Sequence, residues 1–191
     1  MSDTIFEKEI HLLPVNDNGL PIFLPIIIEQ IISKSDFTGI FRICGNYSIV
    51  QEMGRLATDI SKFVPPSNAN VHDYASFLKQ WLRSLPEPIL SPSVVNQYFQ
   101  NENKESVSET LLYMDPLNRK CIALIFSALK IILSKSEVNL MTFDNLSVCF
   151  LGSFLQQMDD KYYKQDFNFH FFYETSMEMI NEKGTDFNLV Y

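Results

Sequence analysis

The clearest helical pattern in this sequence lies in the stretch Val71-His72-Asp73-Tyr74-Ala75-Ser76-Phe77-Leu78-Lys79-Gln80-Trp81-Leu82-Arg83-Ser84-Leu85. Its apolar side chains recur every three or four residues, which is the spacing of one face of an α-helix. They are Tyr74, Phe77, Leu78, Trp81, Leu82 and Leu85. Pro86 and Pro88 follow and end the helix, because proline has no backbone N–H and clashes with the preceding turn. The stretch therefore predicts an amphipathic helix whose apolar face is buried in a core.

Helical signals recur along the rest of the chain. From Ser48 to Ile60 the apolar residues again follow helical spacing, and Ser48 and Gln51 have the separation of a capping box. Asp115-Pro116 and Ser91-Pro92 each combine an N-cap residue with a proline suited to the first helical position. Further helices are predicted from Ile22 to Ser33 and after Thr142. Because strand-like alternation is short, the sequence predicts an all-α fold of about seven to nine helices.

The composition favours one folded domain. Of the 191 residues, 46% are hydrophobic and 20% are charged, which is enough apolar material for a sizeable core. We expect a single domain over 1–191 with its core in roughly 20–182, a polar N-terminal segment and a loose tail beyond Glu182. The formal net charge of −8 argues against nucleic acid as a partner, because proteins that bind polyanions carry the opposite balance.

Two segments bear on the cellular location. Residues Met1 to Glu9 lack the basic flank and apolar run of a signal peptide. The longest apolar run, Cys121 to Leu133, is interrupted by Ser127 and Lys130 and is shorter than the roughly 20 residues that span a bilayer. We therefore expect no transmembrane segment and a cytoplasmic protein, which its partner or other domains of a longer protein would recruit to membranes.

The residues that usually carry catalysis do not cluster in this sequence. Cys44, Cys121 and Cys149 are far apart and each lies among apolar residues, so we expect three reduced, buried thiols. The cysteines and histidines lack the spacing of a metal site. The six glycines form no phosphate-binding loop followed by Lys-Ser/Thr, and no Gly-x-Ser-x-Gly motif occurs. A self-contained hydrolase or nucleotide-binding enzyme is therefore disfavoured, and we expect no metal site and no cofactor.

One charged side chain stands in an unusual place. Arg42 lies inside an apolar run bounded by Gly39 and Gly45. An arginine in a protein keeps its charge, so this side chain either pairs with a carboxylate or projects outward while its neighbours anchor the backbone. A structural explanation is a salt bridge, for instance to Asp36. The functional alternative is a rigidly presented cation that meets an anion on a partner.

Two further cations lie on the helix quoted first. Lys79 and Arg83 are four residues apart, so they share one helix face and repel each other. Near a helix C-terminus the helix dipole favours positive charge, which explains them as a solvated polar face. The functional alternative is that Lys79 and Arg83 form a two-point cationic site for an acidic surface or a phosphate. Arg42 would then lie close to both of them.

Three blocks of this sequence resemble the Rho GTPase-activating protein (RhoGAP) domain family. Residues Gly39-Ile40-Phe41-Arg42-Ile43-Cys44-Gly45-Asn46 are similar to the family's Gly-Ile-Phe-Arg-x-Ser-Gly segment. Residues 70–90, from Asn70-Val71-His72 to Leu85-Pro86-Glu87-Pro88-Ile89-Leu90, resemble its Asp-Val-His…Leu-Pro-Glu-Pro-Leu block. Residues 139–150, which begin Asn139-Leu140-Met141-Thr142, resemble its Asn-Lys-Met-Thr-x-x-Asn-Leu-Ala block. The blocks occur in the family's order and spacing, and this family is all-helical.

The resemblance implies roles for four residues. Arg42 matches the family's arginine finger. Lys79 and Arg83 match the pair that supports the finger loop and engages the GTPase, and Asn145 matches the asparagine that contacts the GTPase near its switch regions. The implied partner is a GTP-bound Rho-family small GTPase (Rho, Rac or Cdc42-like), which itself holds GTP and Mg²⁺. The domain would then be a GTPase activator without a cofactor of its own, and we expect it to be monomeric.

The sequence also departs from the family. Leu151-Gly152-Ser153-Phe154 stands where the family has Gly-Pro-Asn/Thr-Leu, and the missing proline lies near the end of a helix close to the partner. This departure motivates an alternative, namely a non-catalytic GTPase-binding or protein-interaction module with the same fold. A more distant alternative is an unrelated helical scaffold in which Arg42 is only salt-bridged.

Overall fold

The computed structural model describes residues 4–91, 103–155 and 169–183, and within these ranges every regular element is a helix and there is no strand. A short 3₁₀-helix spans Ile10–Leu12. The α-helices are α1 (Phe23–Ser33), α2 (Tyr47–Leu56), α3 (Val71–Ser84), α4 (Lys104–Tyr113), α5 (Pro116–Leu133), α6 (Ser136–Asn139), α7 (Phe143–Phe154) and α8 (Phe169–Lys183). The prediction of an all-α fold is confirmed.

Helix α3 lies at the centre of the fold, where it packs against α1, α2 and α7. Its Trp81 is fully buried, and the ring of Phe23 from α1 meets Trp81 edge-to-face with centroids 5.1 Å apart. Phe23 makes a similar contact with Phe77, one turn earlier on α3, at 5.4 Å. Leu78 is also fully buried. The apolar face predicted for α3 is therefore the core face, and the opposite face is left for polar side chains.

Two predicted helix starts are confirmed by their caps. The carboxylate of Asp115 accepts the N–H of Leu117 at 2.8 Å, with Pro116 in the first turn. The hydroxyl of Thr142 accepts the N–H of Asn145 at 3.3 Å and opens α7. These bonds satisfy backbone donors that a helix cannot satisfy internally.

The predicted start and end of α2 are wrong. Its N-cap is Asn46, not Ser48, because the Asn46 amide oxygen accepts the N–H of Ser48 at 2.9 Å. The helix ends at Leu56, where the hydroxyl of Thr58 turns back to the Arg55 carbonyl at 2.8 Å and competes with further helix. Ile60 is consequently 83% exposed and does not belong to the apolar face.

The spacing of apolar residues did not predict a local turn near the N-terminus. Val15 and Pro21 form an isolated antiparallel bridge, closed by a turn in which Gly19 has φ +71°. The side chain of Asn16 accepts the N–H groups of Asn18 and Leu20 at 3.0 and 3.1 Å. An Asn-Gly pair at 18–19 is the signal that could have identified this turn.

The N-terminal segment is part of the core and crosses α2 at Gly54. The N–H of Ile5 donates to the Gly54 carbonyl at 2.9 Å, and the ring of Phe6 lies 5.9 Å from that of Phe77. A Cβ added at Gly54 would lie 2.4 Å from the Phe6 ring. The close approach of these two segments therefore requires glycine at this position.

We expect Gly54→Leu to lower the free energy of unfolding by about 1–3 kcal/mol, because the added side chain displaces Phe6 from the core. Urea denaturation followed by circular dichroism would measure the loss. Glu52→Ala, exposed on the same helix, is the control and should change stability by less than about 0.5 kcal/mol. Equal stability of Gly54→Leu and the wild type would contradict the close contact.

Two predictions concern residues outside the described ranges. The helix predicted after Ser91-Pro92 lies there, and so does the tail predicted beyond Glu182, apart from Lys183, the last residue of α8. Among the described helices, none combines the length and apolar character needed to cross a membrane.

Candidate functional site

Arg42 lies at the apex of a tight turn between α1 and α2. The carbonyl of Gly39 accepts the N–H groups of both Arg42 and Ile43 at 2.9 Å, and Gly39 itself has φ +72°. The two residues before the arginine, Ile40 and Phe41, are buried, whereas Arg42 is exposed. The apolar run therefore anchors the backbone while the guanidinium projects outward. We call residues 39–46 the arginine loop.

Phe41 holds the arginine loop in an unusual conformation. Its φ is +71°, in the left-handed region, which costs a non-glycine residue about 1–3 kcal/mol. Its side chain is 1% exposed and packs edge-to-face on Phe150 of α7, with ring centroids 4.3 Å apart. Lys79 of α3 donates a hydrogen bond from Nζ to the Phe41 carbonyl. Packing on one helix and a charged donor on another together fix the residue that precedes Arg42.

No carboxylate of the described residues forms an ion pair with the Arg42 guanidinium, and Asp36 is among the residues described. The structural explanation for this arginine, a salt bridge to Asp36, therefore finds no support in this part of the chain. The side chain is exposed and charged at the tip of an anchored turn. Such a cation is available to an anion of another molecule.

The far end of the arginine loop is tied to the first turns of α3. The N–H of Gly45 donates to the Ser76 hydroxyl at 2.8 Å, and the N–H of Asn46 donates to one oxygen of Asp73 at 2.6 Å. The second Asp73 oxygen accepts the N–H of Asn70 at 2.8 Å. A Cβ on Gly45 would lie 2.6 Å from the Asp73 Cα, so the two backbones touch only because this residue is glycine.

The near end of the arginine loop is held by the segment that precedes α7. The N–H of Gly39 donates to the Asn139 carbonyl at 2.7 Å. Asn139 is fully buried, and its side-chain amide donates to the carbonyls of Ser35 and Ile132, both at 2.8 Å. The loop is thus clamped at both ends, which leaves little freedom to the turn that carries Arg42.

The structure brings Lys79 to the arginine loop and places Arg83 one turn further along α3. Lys79 is half-buried, and the burial lowers the pKa of its ammonium below the ordinary value of a lysine. Arg83 is exposed, and its Nε donates to the hydroxyl of Ser153 on α7 at 3.0 Å. Both cations line a surface depression of about 380 Å³ beside the loop. Its lining residues are Cys44, Gly45, Tyr47, Val50, Ser76, Lys79, Gln80 and Arg83.

Asn145 lies in the first turn of α7. Its side-chain amide donates to the carbonyl of Leu140 at 3.0 Å, and Leu140 has the left-handed φ of 60°. Leu140 directly follows Asn139, which binds the arginine loop at Gly39. The three supporting residues predicted from the sequence therefore all lie on helices that contact the arginine loop. Lys79 and Arg83 lie on α3, and Asn145 lies on α7.

The expectation of three buried thiols is wrong for Cys44. Cys44 is exposed because it follows the apex of the arginine loop, and Cys149 is only partly buried. Cys121 is fully buried on α5, and this burial raises the pKa of its thiol. No disulfide forms among these cysteines, which are free.

We expect a maleimide to label Cys44 of the native protein at least about tenfold faster than Cys121, because only an accessible thiolate reacts. Peptide mapping by mass spectrometry after timed labelling would measure both rates. In denaturant the two rates should converge. Faster native labelling of Cys121 would contradict the burial described above.

Sequence reasoning missed three residues that shape the site. Asp73 and Asn139 hold the two ends of the arginine loop, and Ser153 contacts Arg83. A polar residue inside an apolar helix face or motif is the signal that could have identified each of them. Among the described residues, no group of three His, Cys, Asp or Glu side chains is placed to hold a metal ion.

This arrangement of a clamped, exposed arginine on an all-helical fold agrees with a family comparison. Residues 21–159 match the model of the RhoGAP domain. Because that match covers well over half of the chain, the chain belongs to the RhoGAP domain family.

Curated relatives bear names of the same kind. The chain is 32% identical to GTPase activating protein homolog 3 of Dictyostelium discoideum over 143 residues, which are 72% of this chain and 10% of that protein. It is 28% identical over 167 residues to the Rho GTPase-activating protein gacH of the same organism, with 83% of this chain and 29% of that protein covered. The chain therefore spans less than a third of the length of each of these relatives.

Solved structures share the fold. Human Rho GTPase activating protein 15 superposes with a TM-score of 0.75 at 22% identity, over 98% of this chain and 93% of that chain. The BH domain from GRAF, the GTPase regulator associated with focal adhesion kinase, superposes with a TM-score of 0.66 at 23% identity. This superposition covers 88% of this chain and 93% of that chain. At these identities the likeness defines the fold.

Proposed function

We propose that this domain binds a GTP-loaded Rho-family small GTPase and accelerates its hydrolysis of GTP by inserting Arg42 in trans. The observation that carries this proposal is the exposed guanidinium of Arg42, which has no ion pair within the described ranges, on a loop clamped at Gly39, Phe41 and Asn46. The membership of the chain in the RhoGAP domain family supports the same conclusion.

In the proposed reaction the GTPase holds the nucleotide and this domain supplies the guanidinium of Arg42. The GTPase holds GTP and Mg²⁺, and the transferring phosphoryl group gathers negative charge in the transition state. A guanidinium keeps its charge and presents a planar fork of N–H donors, which suits phosphate oxygens and carbonyls. Because hydrogen bonds hold the backbone of the arginine loop, little backbone conformational entropy remains to be lost when Arg42 enters the partner's site.

Lys79, Arg83 and Asn145 have supporting roles in this proposal. Lys79 holds the carbonyl that precedes the finger, and Arg83 offers a second cation to the partner from the neighbouring depression. Asn145 stabilises the turn at Leu140 and faces the GTPase from the start of α7. The roles of these three residues, like that of Arg42, remain predictions.

A panel of purified, GTP-loaded Rho, Rac, Cdc42 and Ras proteins tests the proposal. Phosphate release is measured for each GTPase with and without this domain. We expect acceleration of at least one Rho-family member and none of Ras. The absence of acceleration across the Rho-family members would remove the proposed activity.

The alternative is a non-catalytic module that binds a GTPase without accelerating hydrolysis. The observation that favours it is the Leu151–Phe154 stretch, which continues α7 to Phe154 where the family pattern has a proline. A complex that forms with the GTP-loaded partner, in the absence of faster phosphate release, would select this alternative.

A further inference from the structure

The hydroxyl of Ser153 makes a contact unlike those of the neighbouring helical serines. Ser127, Ser147 and Ser176 each donate to the carbonyl four residues earlier in their own helix, at 2.8, 2.9 and 2.6 Å. This is the usual bond of a serine inside a helix. Ser153 is 0% exposed, yet its hydroxyl oxygen accepts the Nε–H of Arg83 at 3.0 Å. The buried hydroxyl of Ser153 on α7 thus binds the exposed guanidinium of Arg83 on α3.

The contact determines which part of the guanidinium remains available. With Nε bound to Ser153, the two terminal nitrogens of Arg83 make no hydrogen bond or ion pair with any residue of the described ranges. These two nitrogens carry four N–H groups, and one N–H of each points end-on, away from the Nε–H that Ser153 accepts. A planar guanidinium held at one edge can still bind an oxygen pair end-on, in a bidentate geometry.

The position of Ser153 on α7 links it to the arginine loop. It lies three residues after Phe150, so the two side chains share one face of the helix. That face packs on α3 and on Phe41 of the loop. Gly152 stands where the family has a proline, and α7 continues unbroken through Ser153 to Phe154.

We propose that Ser153 is a positioning residue for Arg83, which it holds in the orientation that meets an anionic or carbonyl group of the GTPase. This inference rests on the proposed function and adds a residue to it. Ser153 acts through Arg83 and touches neither substrate nor partner. Its removal should therefore weaken recognition of the GTPase and leave the chemical step at Arg42 intact.

The test is the dependence of phosphate release on the concentration of this domain, measured with a GTPase that the wild-type domain activates. We expect Ser153→Ala to lower kcat/KM about fivefold to tenfold, almost entirely through a higher KM. The Arg83 donor left behind is exposed to water, so the melting temperature should change little. Ser153→Thr, which keeps the hydroxyl, should restore most of the activity.

Two further variants separate positioning from a general effect on folding. Ser176→Ala removes an equally buried hydroxyl that bonds only within its own helix, and it should leave KM unchanged. Arg83→Lys keeps the charge but lacks Nε, so it should raise KM as Ser153→Ala does. In that background Ser153→Ala should have no additional effect, because the two residues act as one unit.

The outcomes distinguish this inference from the proposed function. Acceleration by the wild type with an unchanged KM in Ser153→Ala would overturn the inference and leave the proposed function standing. Additive effects of Arg83→Lys and Ser153→Ala would overturn it as well. Absence of acceleration by the wild type would overturn both.

Discussion

Arg42→Ala should lower the rate of stimulated GTP hydrolysis by about 10³- to 10⁵-fold, the contribution of an arginine finger supplied in trans. In free energy this is about 4–7 kcal/mol of transition-state stabilisation. The loss should appear in kcat, because the guanidinium meets charge that develops only as the phosphate bond breaks. Single-turnover phosphate release at saturating domain concentration would measure it.

The fold should tolerate this substitution. The Arg42 side chain is exposed and has no ion pair with the described residues, so stability should change by less than about 0.5 kcal/mol. Binding of the GTP-loaded GTPase should be largely retained, since the depression beside the loop remains. Arg42→Lys should recover little activity, because a lysine lacks the planar fork.

Arg55→Ala is the matched control for Arg42→Ala. Arg55 is an exposed arginine on the last turn of α2 and does not line the depression beside the arginine loop. It should activate the GTPase like the wild type. Equal hydrolysis rates for Arg42→Ala and the wild type would exclude the finger role of Arg42.

Lys79→Met should lower kcat by about tenfold to a hundredfold. The variant keeps the length and apolar stem of lysine but removes the donor that holds the Phe41 carbonyl. A hydrogen bond from a charged group typically contributes about 1.5–3 kcal/mol, and here its loss frees the residue before the finger. The same phosphate-release assay measures the effect, with hydrogen exchange of residues 39–46 as a second readout.

The expected pattern for Lys79→Met separates loop ordering from simple loss of charge. Lys130→Met removes an exposed lysine from α5 and should leave both activity and loop protection unchanged. If Lys79→Met weakened activity without faster hydrogen exchange in the arginine loop, Lys79 would act on the GTPase directly rather than on Phe41. Unchanged kcat would remove its supporting role.

We expect specificity among Rho-family GTPases to come from the exposed side chains around Arg42 and Asn145. The arginine loop and the start of α7 expose apolar residues beside Arg42 and Asn145, including Ile43 at 44% and Val148 at 84%. Exposed apolar side chains around a charged centre are typical of protein interfaces. The partner panel under Proposed function would show which GTPase surface fits them.

The sequence alone determined that α1, α3, α5 and α7 are helices with a buried face, although it misplaced both ends of α2. The apolar spacing of residues 71–85 predicted that Leu78 and Trp81 are buried, and both are. The caps at Asp115 and Thr142 were predicted from residue type, because Asp and Thr side chains accept hydrogen bonds from the first N–H groups of a helix. Periodicity and capping are local properties, since the groups that interact lie within four residues of each other.

Tertiary structure alone decided how the predicted side chains meet. Lys79 binds the carbonyl of Phe41, which lies 38 positions earlier in the chain, and Arg83 binds Ser153, which lies 70 positions later. No spacing rule encodes either contact, because each depends on how α3 packs against the arginine loop and α7. The sequence identified the charged residues, whereas the packing of distant helices set which carbonyl and which hydroxyl hold them.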